Sequence, residues 1–184
     1  STMLQPGDRV GIFTSSGQNQ LDFTDDLGKL HETLRLIRPR PVVAGRTGRC
    51  PEISDYQGYM IAYRNDHFAI EIAAEEAKIC DPSVAMLAAM ASAQELDRAA
   101  RASAEMNARQ AVNEFQTETE FALRGMRGVI RQLTGLPGQR TLLLVSPGFV
   151  MATAEMQVSQ LIDLALRSNV VVNALDAKGL YAPV

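Results

Sequence analysis

The stretch Leu136 to Phe149, LPGQRTLLLVSPGF, constrains the fold more than any other part of the chain. Leu142, Leu143, Leu144 and Val145 form an unbroken apolar run between Pro137-Gly138 and Pro147-Gly148. Such a run, bounded by turn residues, reads as a strand covered on both faces. Strands of that kind belong to parallel sheets sandwiched by helices. Ligands of open α/β sheets bind beyond the carboxyl ends of the strands, so Ser146-Pro147-Gly148 is the first place to look for function.

The C-terminal residues strengthen that reading. Glu155 to Arg167 places Val158, Leu161, Ile162, Ala165 and Leu166 on one helical face, and Val170 to Leu175 is a second apolar strand. A βαβ unit results, with parallel strands and Asp176 at the same sheet edge as Ser146. At the other end of the chain, Val10, Ile12 and Phe13 form a short strand ending in Thr14-Ser15-Ser16-Gly17, and Gln20 to Phe23 a second, joined as a hairpin. Thr24 or Asp25 is placed to cap a helix bearing Leu27, Leu30, Leu34 and Ile37. The segment Arg38 to Arg49, with two prolines and two glycines, lacks periodicity and reads as a surface loop.

Two further caps can be read directly. Ser54 with Gln57 makes a capping-box pattern, and Asn65-Asp66 opens a helix in which Phe68, Ile72, Ala73 and Ala77 share a face, closing at Cys80 before Asp81-Pro82. From Ser83 to Leu133 there is no proline, and Ala, Glu, Gln, Arg, Met and Leu dominate. Phe115, Thr119, Ala122, Met126, Val129 and Leu133 step by four and three along one face. A continuous helix of about 50 residues would be about 75 Å long, so it must project, bend or pack on another chain. Gly125 and Gly128 are the candidate bends or points of close approach, and Arg124, Arg127 and Arg131 suit the helix's negative pole.

Composition removes several function classes. The 184 residues are 46% apolar and 21% charged, enough for one sizeable core, and a net charge of −3 argues against a nucleic-acid-binding face. No apolar run reaches the roughly 20 residues of a membrane span, and the opening STMLQPGD lacks the pattern of a signal peptide. Cys50 and Cys80 could form a structural disulfide, stay buried as thiols, or include a reactive thiol; their spacing excludes C-x-x-C. Only His31 and His67 could complete a metal site or a nucleophile's triad, and neither has a motif tying it to a serine. Met86, Met90, Met106 and Met126 read as packing residues, and the charges of Glu95, Asp97, Arg98, Arg101, Glu105 and Arg109 as a solvated face.

Taken together, PGDRVGIFTSSG, DFTDD, CPEISDYQGYMI, LPGQRTLLLVSPGF and NALDAKGLY resemble the von Willebrand factor A-like domains of large acidobacterial families of secreted or envelope proteins. The resemblance covers most of the chain and implies a doubly wound, mostly parallel sheet flanked by helices. Residues 1–184 would be a single domain, with residues 83–133 a long helical insertion. It also implies a non-enzymatic, adhesion-type domain that recognises a protein, in a secreted or periplasmic setting.

On that resemblance, the family's metal-ion-dependent adhesion site would be degenerate or absent here. Its first strand, carrying Asp-x-Ser-x-Ser, would lie before Ser1, the aspartate expected after the fourth strand is replaced by Ser146 and Pro147, and Ser54 is better explained as a cap than as the threonine ligand. No cofactor is therefore expected, and Mg²⁺ could bind only with ligands supplied from outside this segment. If the absent strand is the central one, a gap between the Val10 and Leu142 strands must be closed by a changed strand order or by another segment or chain. Ser15, Ser16, Asp25, Asp26, Ser146 and Asp176 are the candidate binding residues, although turn and capping duties explain such residues more simply. An enzyme or small-ligand domain using the rim around Ser146 and Asp176 is the alternative, and self-association through the long helix or a sheet edge is a further expectation.

Overall fold

The computed structural model describes residues 4–5, 7–38, 48–146, 148 and 150–177. Residues 39–47 of the expected surface loop, and Pro147, Phe149, Lys178 and Gly179, lie outside them. The protein is mostly helical. In chain order it has β1 (Val10–Ile12), β2 (Leu21–Thr24), α1 (Leu27–Leu36), α2 (Asp55–Arg64), α3 (His67–Cys80), α4 (Pro82–Leu87), α5 (Ala93–Thr134), β3 (Arg140–Ser146), a 3-10 turn at Met151–Thr153, α6 (Glu155–Arg167) and β4 (Val170–Asp176). These elements form two compact units, one built from Ser1–Arg40, Glu120–Gly148 and Met156–Val184, the other from Pro41–Thr119 and Phe149–Glu155.

In the first unit, β1 and β2 pair antiparallel, as the hairpin reading requires, and β3 pairs with β4 in parallel from Arg140↔Val170 to Ser146↔Asp176. The two pairs are separate sheets of two strands each. This corrects the expectation of a doubly wound, mostly parallel sheet. β1 and β3 lie in different sheets. The physical reason lies in the apolar run itself. Its side chains alternate between half-buried and exposed along β3, so one face of the strand is packed and the other is open, although an unbroken apolar run reads as covered on both sides.

In this unit Leu123, Met126, Val129, Ile130 and Leu133 of the last part of α5 are buried, as are Leu161 and Ala165 of α6. Arg140 fastens this arrangement. Its Nε donates to the Leu136 carbonyl at 2.6 Å, just beyond α5, and its Nη1 to the Ser168 carbonyl at 2.9 Å, just beyond α6. One guanidinium thus satisfies carbonyls at two helix C-termini, where orphan acceptors and the negative dipole end coincide. Arg127 adds a bond of 3.2 Å to Gln160 of α6.

The second unit is a helical assembly with an alanine-lined interior. Ile53, Ile61, Ile70 and Ala73 pack with Ala104, Ala108 and Ala111 of α5, while Ala74, Ala77 and Val84 pack with Ala100. Small side chains let helix backbones approach closely, and Gly58 of α2 marks the tightest point: a Cβ there would meet the Ala108 carbonyl oxygen at 3.2 Å and the Ala111 Cβ at 3.3 Å. At Gly125 and Gly128 an added Cβ would meet nothing within 4 Å, so neither is a point of close approach. The caps at Ser54 and Asp66 form as the sequence indicates, each accepting from a backbone amide of the first turn.

Three local expectations change. The α1 cap is Asp26, and of that helix's apolar residues only Leu30 is buried. The buried face of α3 is Ile70, Ala73, Ala74 and Ala77, leaving Phe68 and Ile72 exposed. The expected helix over 83–133 is divided: α4 ends at Leu87, and α5 starts at Ala93 with Ser92 and Glu95 capping each other.

Candidate functional site

The carboxyl ends of β3 and β4 bring two of the candidate residues together. Ser146 and Asp176 are partners in the parallel register. The Ser146 hydroxyl accepts from the Gly148 amide at 3.1 Å, and its carbonyl accepts from the Ala177 amide at 2.9 Å. Ser146 is therefore engaged in shaping the turn after its strand.

The other candidates belong to the hairpin and α1. Ser16 accepts from the Gln18 amide at 3.3 Å within the turn after β1, beside exposed Ser15. Asp26 Oδ1 accepts from the amides of Gly28 at 2.9 Å and Lys29 at 3.2 Å, and Asp25 precedes it as an exposed residue. Ser16 and Asp26 thus satisfy local backbone donors, the duty that short polar side chains perform at turns and helix starts. Among the described residues, no group of three or more His, Cys, Asp and Glu side chains could hold a metal ion.

Cys50 and Cys80 form a disulfide with a Cα–Cα distance of 5.6 Å. It secures the segment before α2 to the end of α3. The same segment is held by a paired Arg49–Glu114 contact at 2.8 Å and by the Glu52 amide donating to Glu76 at 3.0 Å. On α3 and α5, Lys78 donates to Glu75 at 2.7 Å and to Asp97 at 2.6 Å, and Asp97 also faces Arg101 at 3.4 Å. The hydrogen bond from Lys78 pulls the Asp97 carboxyl below its ordinary value, and the same bond raises the Lys78 ammonium. Charges that read in the sequence as a solvated face therefore also tie two helices together.

Two surfaces escape the sequence reading. On one face the β3–β4 pair carries Leu143 (58% exposed), Val145 (59%), Val171 (49%) and Leu175 (56%), and β4 is exposed on its other face too, at Val172 (40%). In the helical unit, Met86 and Met90 project into solvent at 72% and 85% exposure; of the methionines that read as packing residues, Met126 is buried and Met86, Met90 and Met106 are not. The strand face leaves no signal, because strand residues that are covered and strand residues that are open have the same apolar composition. The helical surface does leave one: Pro82 to Gln94 contains no charged residue.

No protein family, curated protein or solved structure matches the chain. Among the described residues, no helix is long and apolar enough to cross a membrane.

Proposed function

We propose that this chain is a non-enzymatic protein-interaction module of an exported protein, binding its partner through the open face of the β3–β4 pair and using no metal ion. The observation that carries the reading is the exposure of Leu143, Val145, Val171 and Leu175 on one side of a parallel strand pair. Parallel strands are almost always covered on both faces, and contiguous exposed apolar surface marks places where another molecule sits. The disulfide supports an oxidising compartment, secreted or periplasmic. The resemblance to von Willebrand factor A-like domains supports recognition of a protein.

A photo-crosslinking residue at position 143, introduced in the producing cell, should give one discrete crosslinked protein species that Val145→Lys abolishes. Crosslinking indifferent to Val145→Lys would sink the reading. The enzyme alternative draws on Ser146 and Asp176 standing side by side at paired strand ends. Turnover in a broad hydrolase screen that vanishes in Ser146→Ala would put that alternative in its place.

A further inference from the structure

We infer that the outer edge of β4 joins two copies of this chain: their β4 strands pair antiparallel about a two-fold axis at Asn173, making one continuous sheet of two β3–β4 pairs. The inference concerns the edge of the strand and stands independently of what covers its face. Among the described residues β4 has a strand on one side only, since the β3–β4 sheet has two strands. The Ala177 amide donates to the Ser146 carbonyl of β3 at 2.9 Å. Backbone groups alternate in direction along a strand, so those of Leu175, Asn173 and Val171 also address β3. The amides and carbonyls of Val172 and Ala174 therefore point away from it.

What complements such a row is another extended backbone, and this separates an edge from a merely apolar patch. Natural proteins usually guard an edge with a charge, a proline or a bulge. Val170–Leu175 has none of them: it contains no charged residue and no proline, and its register with β3 runs one to one without interruption. Val171, Val172, Asn173, Ala174 and Leu175 are all exposed, so the strand is clear on both faces and a neighbouring strand has room beside it.

The occupant is a second β4 because this strand is complementary to itself. Full antiparallel overlap of Val170–Asp176 with its copy sets each residue opposite the one equally far from Asn173. Val172 then faces Ala174 of the second copy, and these are the residues whose groups point outward, so they exchange backbone hydrogen bonds. Sliding the copies by one residue would set outward groups against inward ones, and sliding by two would leave strand ends unpaired. Val171 faces Leu175, apolar against apolar, and Asp176 faces Val170, which keeps the two carboxylates at opposite ends. Asn173, the one polar side chain within Val170–Leu175, meets its own counterpart on the axis, with Cα atoms about 4.5 Å apart. A charged residue there would face a like charge, whereas a carboxamide both donates and accepts and so can bond its copy.

The experiment is disulfide trapping in the full chain, whose own two cysteines are bridged to each other, so that a single introduced thiol reacts. Asn173→Cys, Val171→Cys, Leu175→Cys and an equimolar mixture of the last two are oxidised with diamide. All three positions are exposed on the same face, so random collision would trap them equally. Asn173→Cys should crosslink at least tenfold faster than either other variant alone, and the mixture should give mainly the mixed dimer. Sedimentation equilibrium of the wild type, up to about 1 mM, should show a reversible dimer. Ala174→Pro removes an outward amide and leaves the β3–β4 ladder in place, so it should weaken that dimer at least tenfold with an unchanged circular dichroism spectrum. If Ala174→Pro does not fold, the cysteine series decides alone. Equal trapping at the three positions, fastest trapping at position 171 or 175, or a wild type that stays monomeric would each overturn the inference.

Discussion

The Ser103 hydroxyl on α5 donates to Asp81 Oδ2 at 2.6 Å, while Oδ1 of the same carboxylate accepts from the Ser83 amide at 2.9 Å and the Ser83 hydroxyl at 2.6 Å. Asp81 is at once the residue that ends α3, the cap that starts α4 and the acceptor for a buried serine of α5. Hydrogen bonding from Ser103, then from Ser83, holds its carboxyl below the ordinary range. Because the folded value is depressed, the stability it contributes is present above the unfolded value of about 3.9 and is lost as pH falls through the lower folded value. Asp81→Asn should therefore lower the midpoint of urea unfolding at pH 7. It should also flatten the decline in stability as pH falls below the ordinary carboxylate range. At neutral pH, Asp81→Ala should cost about 1–3 kcal/mol, for a lost cap and an unsatisfied Ser103 hydroxyl. A wild-type acid profile identical to that of Asp81→Asn would refute the assignment.

Gly58 and Gly128 are both helical glycines, and they should respond oppositely to alanine. At Gly58 the new methyl would press on the Ala108 carbonyl at 3.2 Å, backbone that can yield only by moving α2 away from α5. At Gly128 it would meet nothing within 4 Å, so the higher helix propensity of alanine acts alone. Gly58→Ala should destabilise by about 1–3 kcal/mol and Gly128→Ala should stabilise by up to about 1 kcal/mol. Thermal unfolding of the two variants beside the wild type decides it, and a stabilised Gly58→Ala would contradict the close approach.

The contrast between these glycines shows what a single sequence conveys. Hydrogen-bonding chemistry that acts over three or four residues is legible: Ser54 and Asp66 cap as their positions indicate, and the βαβ unit from β3 to β4 follows from punctuation by proline, glycine and an apolar period. Long-range partnership is not. Nothing in the sequence distinguishes Gly58 from Gly128, because the difference is the backbone of α5 lying beside one of them. The parallel sheet is smaller than its strands suggest for the same reason: an apolar strand shows that it avoids water on one side without showing how many neighbours it has. At the candidate rim, the pairing of Ser146 with Asp176 is legible from the βαβ period, whereas the open face beside it depends on packing that no local pattern encodes.

The helical face of α3 offers a direct check on packing. Ile70 is 5% exposed and belongs to the cluster with Ala104 and Ala108, while Ile72, two residues on, is 57% exposed. The apolar spacing of Phe68 and Ile72 favours the opposite face, but the alanines of α5 admit a close-packed partner only where α3 also presents small residues, at Ala73, Ala74 and Ala77. Ile70→Ala should cost about 2–5 kcal/mol by leaving a cavity. Ile72→Ala should stay within about 0.5 kcal/mol of the wild type. Equal losses in urea titrations of the two variants would show that the helix is rotated from the orientation described.

The Cys50–Cys80 disulfide closes a loop of 30 residues in sequence separation, containing α2 and α3. Restricting the unfolded chain over such a loop is worth roughly 3–4 kcal/mol on the chain-entropy estimate. The folded segment has other attachments, the Arg49–Glu114 pair and the Asn107 side-chain amide donating to the Cys50 carbonyl at 3.3 Å. Replacing both cysteines with serine should therefore lower stability by about that amount while leaving the native helix content unchanged. Reducing the wild type under native conditions should reproduce the loss, since the thiols and the serines leave the same non-covalent contacts in place. Urea unfolding followed by circular dichroism, with and without reductant, measures both effects on one scale. A double serine variant as stable as the oxidised wild type would mean that the unfolded chain already keeps Cys50 and Cys80 close.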